Sequence, residues 1–169
     1  NTGLDAFTDQ NYTRSISLFE QANSLQPNQP ALLYNLATCY RKIAENEKAI
    51  VLLYHVIKIA PSYTKAYHQL ILFLKEKDKK KEIVSLYEQL LEHEPHNVPA
   101  HLYLARHKKD VEQFDQAIEH FEHALKIEPN NYTCKFELAI ACTMIGQTDK
   151  AIALYDQMLE IHPNNITMV

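Results

Sequence analysis

Five prolines recur at one fixed interval along the chain. Consecutive members of this set are 34 residues apart: Pro27, Pro61, Pro95, Pro129 and Pro163. Five independent loops would not keep one spacing, so the interval predicts a structural unit that is repeated along the chain. The 169 residues therefore have to fold as successive copies of one element of that length.

Small, aromatic and aliphatic residues also recur at fixed distances before each proline. The position twelve residues before is occupied by Ser15, Ala49, Ile83, Ala117 and Ala151. The position eight before is occupied by Phe19, Leu53, Tyr87, Phe121 and Tyr155, and the position five before by Ala22, Val56, Leu90, Ala124 and Met158. Separations of four and three residues place these columns on one face of an α-helix, which is the second helix of each repeat.

A second set of columns predicts an earlier helix in each repeat. It consists of the pairs Leu36-Ala37, Leu70-Ile71, Leu104-Ala105 and Leu138-Ala139, with Thr2-Gly3 in a truncated first copy. Polar segments separate the two helices, so each repeat is expected to be a helical hairpin. A polar residue follows each proline and is expected to start the next helix. These residues are Asn28, Ser62, His96, Asn130 and Asn164.

Together these columns resemble the tetratricopeptide repeat motif. The copy from Pro95 to Pro129 matches best, although the usual Trp near the start of the motif is replaced in the successive copies by Leu33, Tyr67, His101 and Lys135. The resemblance implies an all-α fold, a right-handed superhelical solenoid of antiparallel helix pairs, that forms a single array over residues 1–169. The expected repeats are 1–29 (truncated), 30–63, 64–97, 98–131 and 132–165.

The resemblance implies a protein-protein interaction scaffold or adaptor whose first helices line a concave groove. Helical spacing away from the Leu-Ala columns predicts which residues face that groove. The predicted peptide-binding residues are Tyr34, Asn35, Thr38, Arg41, Lys65, His68, Gln69, Leu72, Tyr103, Arg106, Lys109, Phe136 and Ile140.

The charged residues of this stripe give it an excess of positive charge. Its basic members are Arg41, Lys42, Lys65, Lys75, Arg106 and Lys109, and its acidic members are Glu76, Asp110 and Glu137. The stripe therefore carries +3 within a chain of formal net charge -4. This pattern favours an acidic or C-terminal peptide that runs from a basic middle to an apolar end near Phe136, Ile140 and Met144. The alternative is that these charges form ordinary solvated helix faces.

Two known binding patterns of the family are incomplete here. The carboxylate clamp of some co-chaperones is matched by Asn35 and Lys65, whereas Leu4 replaces its first-copy Asn, Gln69 replaces its Arg, and its first Lys would precede Asn1. An asparagine ladder would need Asn in a column that reads Asn35, Gln69, Tyr103 and Glu137. We therefore expect neither the chaperone tail nor a ladder-bound peptide as the partner.

Several other functions are not expected. Only two glycines occur, so no glycine-rich nucleotide loop can form, and no catalytic motif accompanies the scattered Ser, His and Asp residues. We predict no enzyme, no cofactor, no metal, no nucleic-acid partner and no membrane insertion. His120 and His123 are predicted to be solvated on the outer face of a second helix. Three cysteines, Cys39, Cys134 and Cys142, favour free thiols and a cytoplasmic location.

Two further readings of the array stay open. In one, the chain is the non-catalytic, substrate-recruiting arm of a larger enzyme such as a transferase. In the other, it is a homo-oligomer that assembles through uncapped terminal repeats, where Ile152, Tyr155 and Met158 pack on another copy.

Overall fold

A computed structural model describes residues 3–8 and 10–161 of the chain, with side chains up to residue 159. Every regular element in these residues is an α-helix, and they are α1 (Gly3–Thr8), α2 (Tyr12–Leu25), α3 (Pro30–Lys42), α4 (Asn46–Ile59), α5 (Thr64–Glu76), α6 (Lys80–His93), α7 (Val98–Asp110), α8 (Phe114–Ile127), α9 (Tyr132–Met144) and α10 (Thr148–Ile161). The all-α prediction is confirmed for the described residues.

The boundaries of the helices follow the sequence period. The helices α3, α5, α7 and α9 begin at Pro30, Thr64, Val98 and Tyr132, and each of these starts lies 34 residues after the previous one. The second helices keep the same interval. The prediction of successive helical hairpins is therefore confirmed, and Thr2, Pro163 and Asn164 lie outside the described residues.

The turn within each hairpin contains one residue with positive φ. These residues are Gln10, Ala44, Asp78, Glu112 and Gly146, with φ between 51° and 76°. In each case the next backbone N–H donates to the carbonyl five residues before it, as from Glu45 to Tyr40 at 2.9 Å. This is the Schellman ending of a helix, and it satisfies carbonyls that the last turn would otherwise leave unpaired.

From α3 onward, each first helix begins three residues after one of the recurring prolines. The residue that precedes α7 is Asn97, and its Oδ1 accepts from the amide of Ala100 at 3.0 Å. Asn131 caps α9 in the same way, whereas Gln29 and Tyr63 precede α3 and α5 without a side-chain cap. The polar residue next to the proline therefore does not cap these helices, because the residue immediately before each helix is the second one after the proline.

The described residues belong to two compact units. Unit 1 covers Asn1–Leu86 and unit 2 covers Tyr87–Val169, so α6 begins in one unit and ends in the other. The single array and its repeat boundaries stay a sequence prediction. Within unit 1, Ile16, Phe19, Leu36 and Cys39 form a buried cluster, and in unit 2 the buried cluster centres on Phe121, Ala124, Leu138 and Ala139.

Each predicted packing column contributes to these cores. Its members are buried, except for Ala22 and Tyr155, which are half-buried. Gly3 shows why the first helix needs small residues, because a Cβ at this position would lie 2.6 Å from the Phe19 ring. The residues at the position of the family's Trp are also buried in the four copies that contain this position, and they are Leu33, Tyr67, His101 and Lys135. All three cysteines are free and buried.

Candidate functional site

The predicted binding residues lie on two separate faces, one in each unit. We call face 1 the set on α3 and α5, which contains Tyr34, Asn35, Thr38, Arg41, Lys65, His68, Gln69 and Leu72, together with Lys42 of the charged stripe. We call face 2 the set on α7 and α9, which contains Tyr103, Arg106, Lys109, Phe136 and Ile140. Because the units are distinct compact bodies, each face is described by itself.

In face 1, Gln69 connects α5 to α3. Its Nε2 donates to the hydroxyl of Tyr34 and to Oγ1 of Thr38, both at 3.1 Å. The Thr38 hydroxyl donates in turn to the backbone carbonyl of Tyr34 at 2.9 Å, and the Tyr34 ring lies 5.3 Å from that of Tyr63. These contacts fix the two helices against each other, so Tyr34, Thr38 and Gln69 form the floor of face 1.

Three cations of face 1 keep exposed side chains. The guanidinium of Arg41 lies 5.5 Å above the ring of Phe73, which is a cation–π contact. Lys42 and Lys65 are exposed as well, and none of the three cations forms an ion pair with a described residue. Lys75 is the fourth basic residue of the stripe in unit 1, and Glu76 is its acidic member, so the net charge of the stripe in this unit is +3.

The remaining members of face 1 are polar and apolar side chains around this positive charge. Asn35 lines a cleft of about 480 Å³ whose walls include Leu4, Leu25 and Leu32. His68 is exposed, and Leu72 exposes 46% of its surface. Face 1 therefore combines unpaired positive charge with amide and apolar contacts.

In face 2, both cations pair with a single carboxylate of the neighbouring helix. Glu137 accepts from Arg106 Nε at 2.6 Å and from Lys109 Nζ at 2.9 Å. Burial alone would raise the pKa of Glu137, but the hydrogen bonds from Lys109 and Arg106 outweigh it and lower the pKa. With Asp110 also present, the stripe charge of unit 2 is zero. The positive excess predicted for one continuous groove lies entirely in unit 1.

The other residues of face 2 are mostly aromatic and apolar. The Tyr103 ring lies 4.7 Å from the ring of buried Tyr87, and the Phe136 ring packs edge-on against Tyr155 at 6.4 Å. Ile140 is half-buried, and Met144 exposes 61% of its surface. With Glu137 and Asp110 counted, face 2 carries no net charge, and its aromatic rings pack against other rings of the same unit.

Two expectations about other residues were wrong. His120 does not extend into solvent, because it turns toward α7, and its Nδ1 lies 3.0 Å from Nδ1 of buried His101. Met158 is also unavailable to a second copy, because it is 4% exposed within its own unit. The exposed apolar residues of α10 are instead Ile152 and Leu159. His123 is exposed, as predicted.

Comparison with known proteins decides the family. The model of the tetratricopeptide repeat family matches residues 6–71 and 110–168, which together make up most of the chain. The chain belongs to the tetratricopeptide repeat family. None of the curated proteins compared with the chain matches it.

Solved tetratricopeptide repeat structures share the fold at low sequence identity. A crystal structure of MamA is 20% identical, with a TM-score of 0.66, and the match covers 95% of this chain and 94% of that chain. A MamA from Desulfovibrio magneticus RS-1 is 15% identical, with a TM-score of 0.62 and coverage of 97% and 93%. YrrB, described as a TPR protein with an unusual peptide-binding site, is 12% identical, with a TM-score of 0.66 and coverage of 96% and 84%.

The described residues contain neither a metal-binding cluster nor a membrane-spanning helix. Across residues 3–8 and 10–161, no three His, Cys, Asp or Glu side chains are placed to hold a metal ion. Within the same part of the chain, no helix has both the length and the apolar character that a membrane span requires.

Two contacts on these faces were missed by the sequence reasoning. Phe73 carries the Arg41 guanidinium but belongs to the buried side of α5, so the stripe of exposed positions omits it. Glu137 was counted only as an acidic member of the stripe. Its place one repeat after Arg106 and Lys109, on the next first helix, was the signal that could have indicated the ion pairs.

Proposed function

We propose that face 1 binds an acidic segment of a partner protein, and that the chain acts as an interaction scaffold or adaptor. The observation that carries the proposal is the unpaired positive charge of Arg41, Lys42 and Lys65 on adjacent first helices of one unit. The family supports the broad role, because stacked helical hairpins offer long binding surfaces.

The chemistry of face 1 suits carboxylates. Lys and Arg donate charge-assisted hydrogen bonds to carboxylate oxygens, and Arg can do so with two parallel bonds. Asn35 adds an amide that can pair with a peptide backbone, and the adjacent Leu4 and Leu32 can cover apolar side chains of the partner. A peptide with alternating acidic and aliphatic residues would use both properties.

The floor of face 1 favours binding with little rearrangement. Tyr34, Thr38 and Gln69 are joined by hydrogen bonds at 2.9–3.1 Å before any partner arrives. A preorganised surface loses less conformational entropy on association than one that must order its side chains. Face 2 does not share the proposed role, because Glu137 already occupies the carboxylate-binding positions of Arg106 and Lys109.

The proposal can be tested with a fluorescein-labelled peptide of about ten residues that alternates Glu and Leu, measured by fluorescence anisotropy. An isosteric peptide with Gln in place of Glu tests charge, and an amidated version tests the terminal carboxylate. The variant Arg41→Gln/Lys42→Gln/Lys65→Gln removes the cations of face 1. The matched control, Arg106→Gln/Lys109→Gln, removes cations of face 2.

We expect the Glu peptide to bind more tightly than the Gln peptide, and the face 1 variant to lose about tenfold or more in affinity. The face 2 variant should bind like the parent once its helicity is shown to be unchanged. Equal binding of the Glu and Gln peptides, or an equal loss in both variants, would overturn the proposal.

A further inference from the structure

Three histidines of unit 2 form a cluster between α7 and α8. Nδ1 of His101, on α7, lies 3.0 Å from Nδ1 of His120 on α8. The ring of His123, one turn further along α8, stacks on His101 with an interplanar angle of 7° and a centroid distance of 5.1 Å. His101 is 6% exposed and occupies the buried position where the family's motif has Trp.

The hydrogen bonds of His101 determine which ring nitrogens carry protons at neutral pH. Nε2 of His101 lies 3.0 Å from the backbone carbonyl of Pro95, and a carbonyl can only accept, so Nε2 carries the hydrogen. Nδ1 of a neutral His101 is then an acceptor. The facing Nδ1 of His120 must therefore carry a hydrogen and donate it, which leaves Nε2 of His120 unprotonated.

The surroundings of the pair oppose positive charge. Burial lowers the pKa of His101, with further lowering by His123 and His96, while the hydrogen bond to the Pro95 carbonyl partly opposes this. Burial also lowers the pKa of His120, to about 4, and His101, His123 and Lys108 add to the effect. These neighbours come from α7, from α8 and from the loop before α7, and all of them are bases.

We propose that the His101–His120 pair is an acid-sensitive latch, which holds α7 against α8 at neutral pH and opens when both histidines are protonated. The pair can hold one added proton with its hydrogen bond intact, because one nitrogen still donates and the other accepts. A second proton places two N–H donors face to face at 3.0 Å, and the contact must then open.

The direction of the pH effect follows from the lowered pKa values. A histidine that is harder to protonate in the folded state stabilises that state above its unfolded pKa of 6.5. This stabilisation is lost progressively as the pH falls from 6.5 toward about 4, because the unfolded chain binds protons that the folded chain does not. The latch concerns the stability of unit 2 and does not depend on the proposed function of face 1.

Nuclear magnetic resonance of the wild-type protein, with nitrogen-labelled histidine and with EDTA present, tests the latch without any substitution. We expect His101 to carry its hydrogen on Nε2 and His120 to carry its hydrogen on Nδ1. Both should titrate below the reference pKa of about 6.5. If the two histidines have the opposite tautomers, or if His120 titrates like a free histidine, the proposal is wrong.

Urea unfolding at several pH values supplies a second test. In His120→Gln the amide can still donate to His101 but cannot titrate, and His55→Gln is the matched control on the exposed face of α4. For the wild type and the control, we expect the folding constant to fall by about tenfold more between about pH 7 and about pH 5 than it does for His120→Gln. The same pH dependence in all three proteins would overturn the proposal.

Discussion

Unit 1 and unit 2 are built from the same helical hairpin, but they satisfy their polar groups differently. In unit 2 the first helices are capped by Asn97 and Asn131, and each Nδ2 also donates to a glutamate, Glu94 at 2.7 Å and Glu128 at 2.9 Å. In unit 1 the corresponding Gln29 and Tyr63 make no such cap. The two units therefore share the period of the backbone but differ in whether side chains cap their first helices.

The same contrast extends to the faces and the cores. Glu137 forms ion pairs with both cations of face 2, whereas the cations of face 1 have no ion-pair partner among the residues described. The buried column of the family's Trp is Leu33 and Tyr67 in unit 1 but His101 and Lys135 in unit 2. Unit 2 thus places ionisable groups inside and pairs its surface charge, while unit 1 has an apolar column and an unpaired charged face.

The largest effect is expected in the buried column. Tyr67→Ala should lower the free energy of unfolding by about 3–5 kcal/mol, because Tyr67 is 1% exposed and its removal leaves a cavity. Lys135→Ala, at the matching position of unit 2, should cost only about 1 kcal/mol, since the lysine contributes mainly its aliphatic stem. Urea unfolding followed by circular dichroism measures both. Equal losses would show that the two columns are energetically alike.

A smaller effect is expected from the carboxylate of face 2. Glu137→Gln should cost about 1 kcal/mol, because Glu137 is well buried while Arg106 is half exposed and partly screened by solvent. Its lowered folded pKa means that the stabilisation is present above the ordinary value of 4.5 and is lost as the pH falls below it.

The unfolding free energy of Glu137→Gln, measured between neutral and acidic pH, checks this sign. Glu76→Gln on α5 is the control, because its carboxylate is exposed and should have little effect. Glu137→Gln also leaves Arg106 and Lys109 without their carboxylate partner, so face 2 of this variant should gain affinity for the Glu peptide. If face 2 stays indifferent to that peptide, ion pairing is not what distinguishes the two faces.

The smallest effect is expected at the helix starts. Asn131→Ala should cost about 1 kcal/mol through loss of the cap to Cys134 N, and Gln29→Asn should stabilise unit 1 by about 0.5 kcal/mol. Gln29 already has the extended backbone of a cap, with φ of -81° and ψ of 114°. Thermal unfolding of the two variants compares them directly, and a loss of stability in Gln29→Asn would contradict the prediction.

The sequence predicted the helices well because their information is periodic. Columns such as Phe19, Leu53 and Phe121 are large, buried and equally spaced, so a comparison of the chain with itself is enough to find them. The left-handed turn residues were less visible. Gly146 favours positive φ and Asp78 tolerates it, whereas Ala44 and Glu112 adopt it because the helix ending requires it.

The site was predicted less completely, because its chemistry depends on pairs of side chains from different helices. Helical spacing placed Gln69 and Arg106 on the exposed stripe, but it does not show that each reaches a neighbouring helix. His120 was misplaced for the same reason, since the spacing gives the direction of Cβ and not the rotamer that reaches His101. The periodic sequence therefore predicts the helices, but it does not predict which side chains of neighbouring helices contact each other.

The reactivity of the three buried cysteines reports on the local unfolding of the protein. Burial raises the pKa of the Cys134 thiol to about 12 and raises the pKa values of Cys39 and Cys142, so the reactive thiolate is scarce while the chain is folded. A thiol reagent can modify these residues readily only after the surrounding helices separate. Because Cys39 lies in unit 1 and Cys134 and Cys142 lie in unit 2, the order of their alkylation reports which unit exposes its interior first.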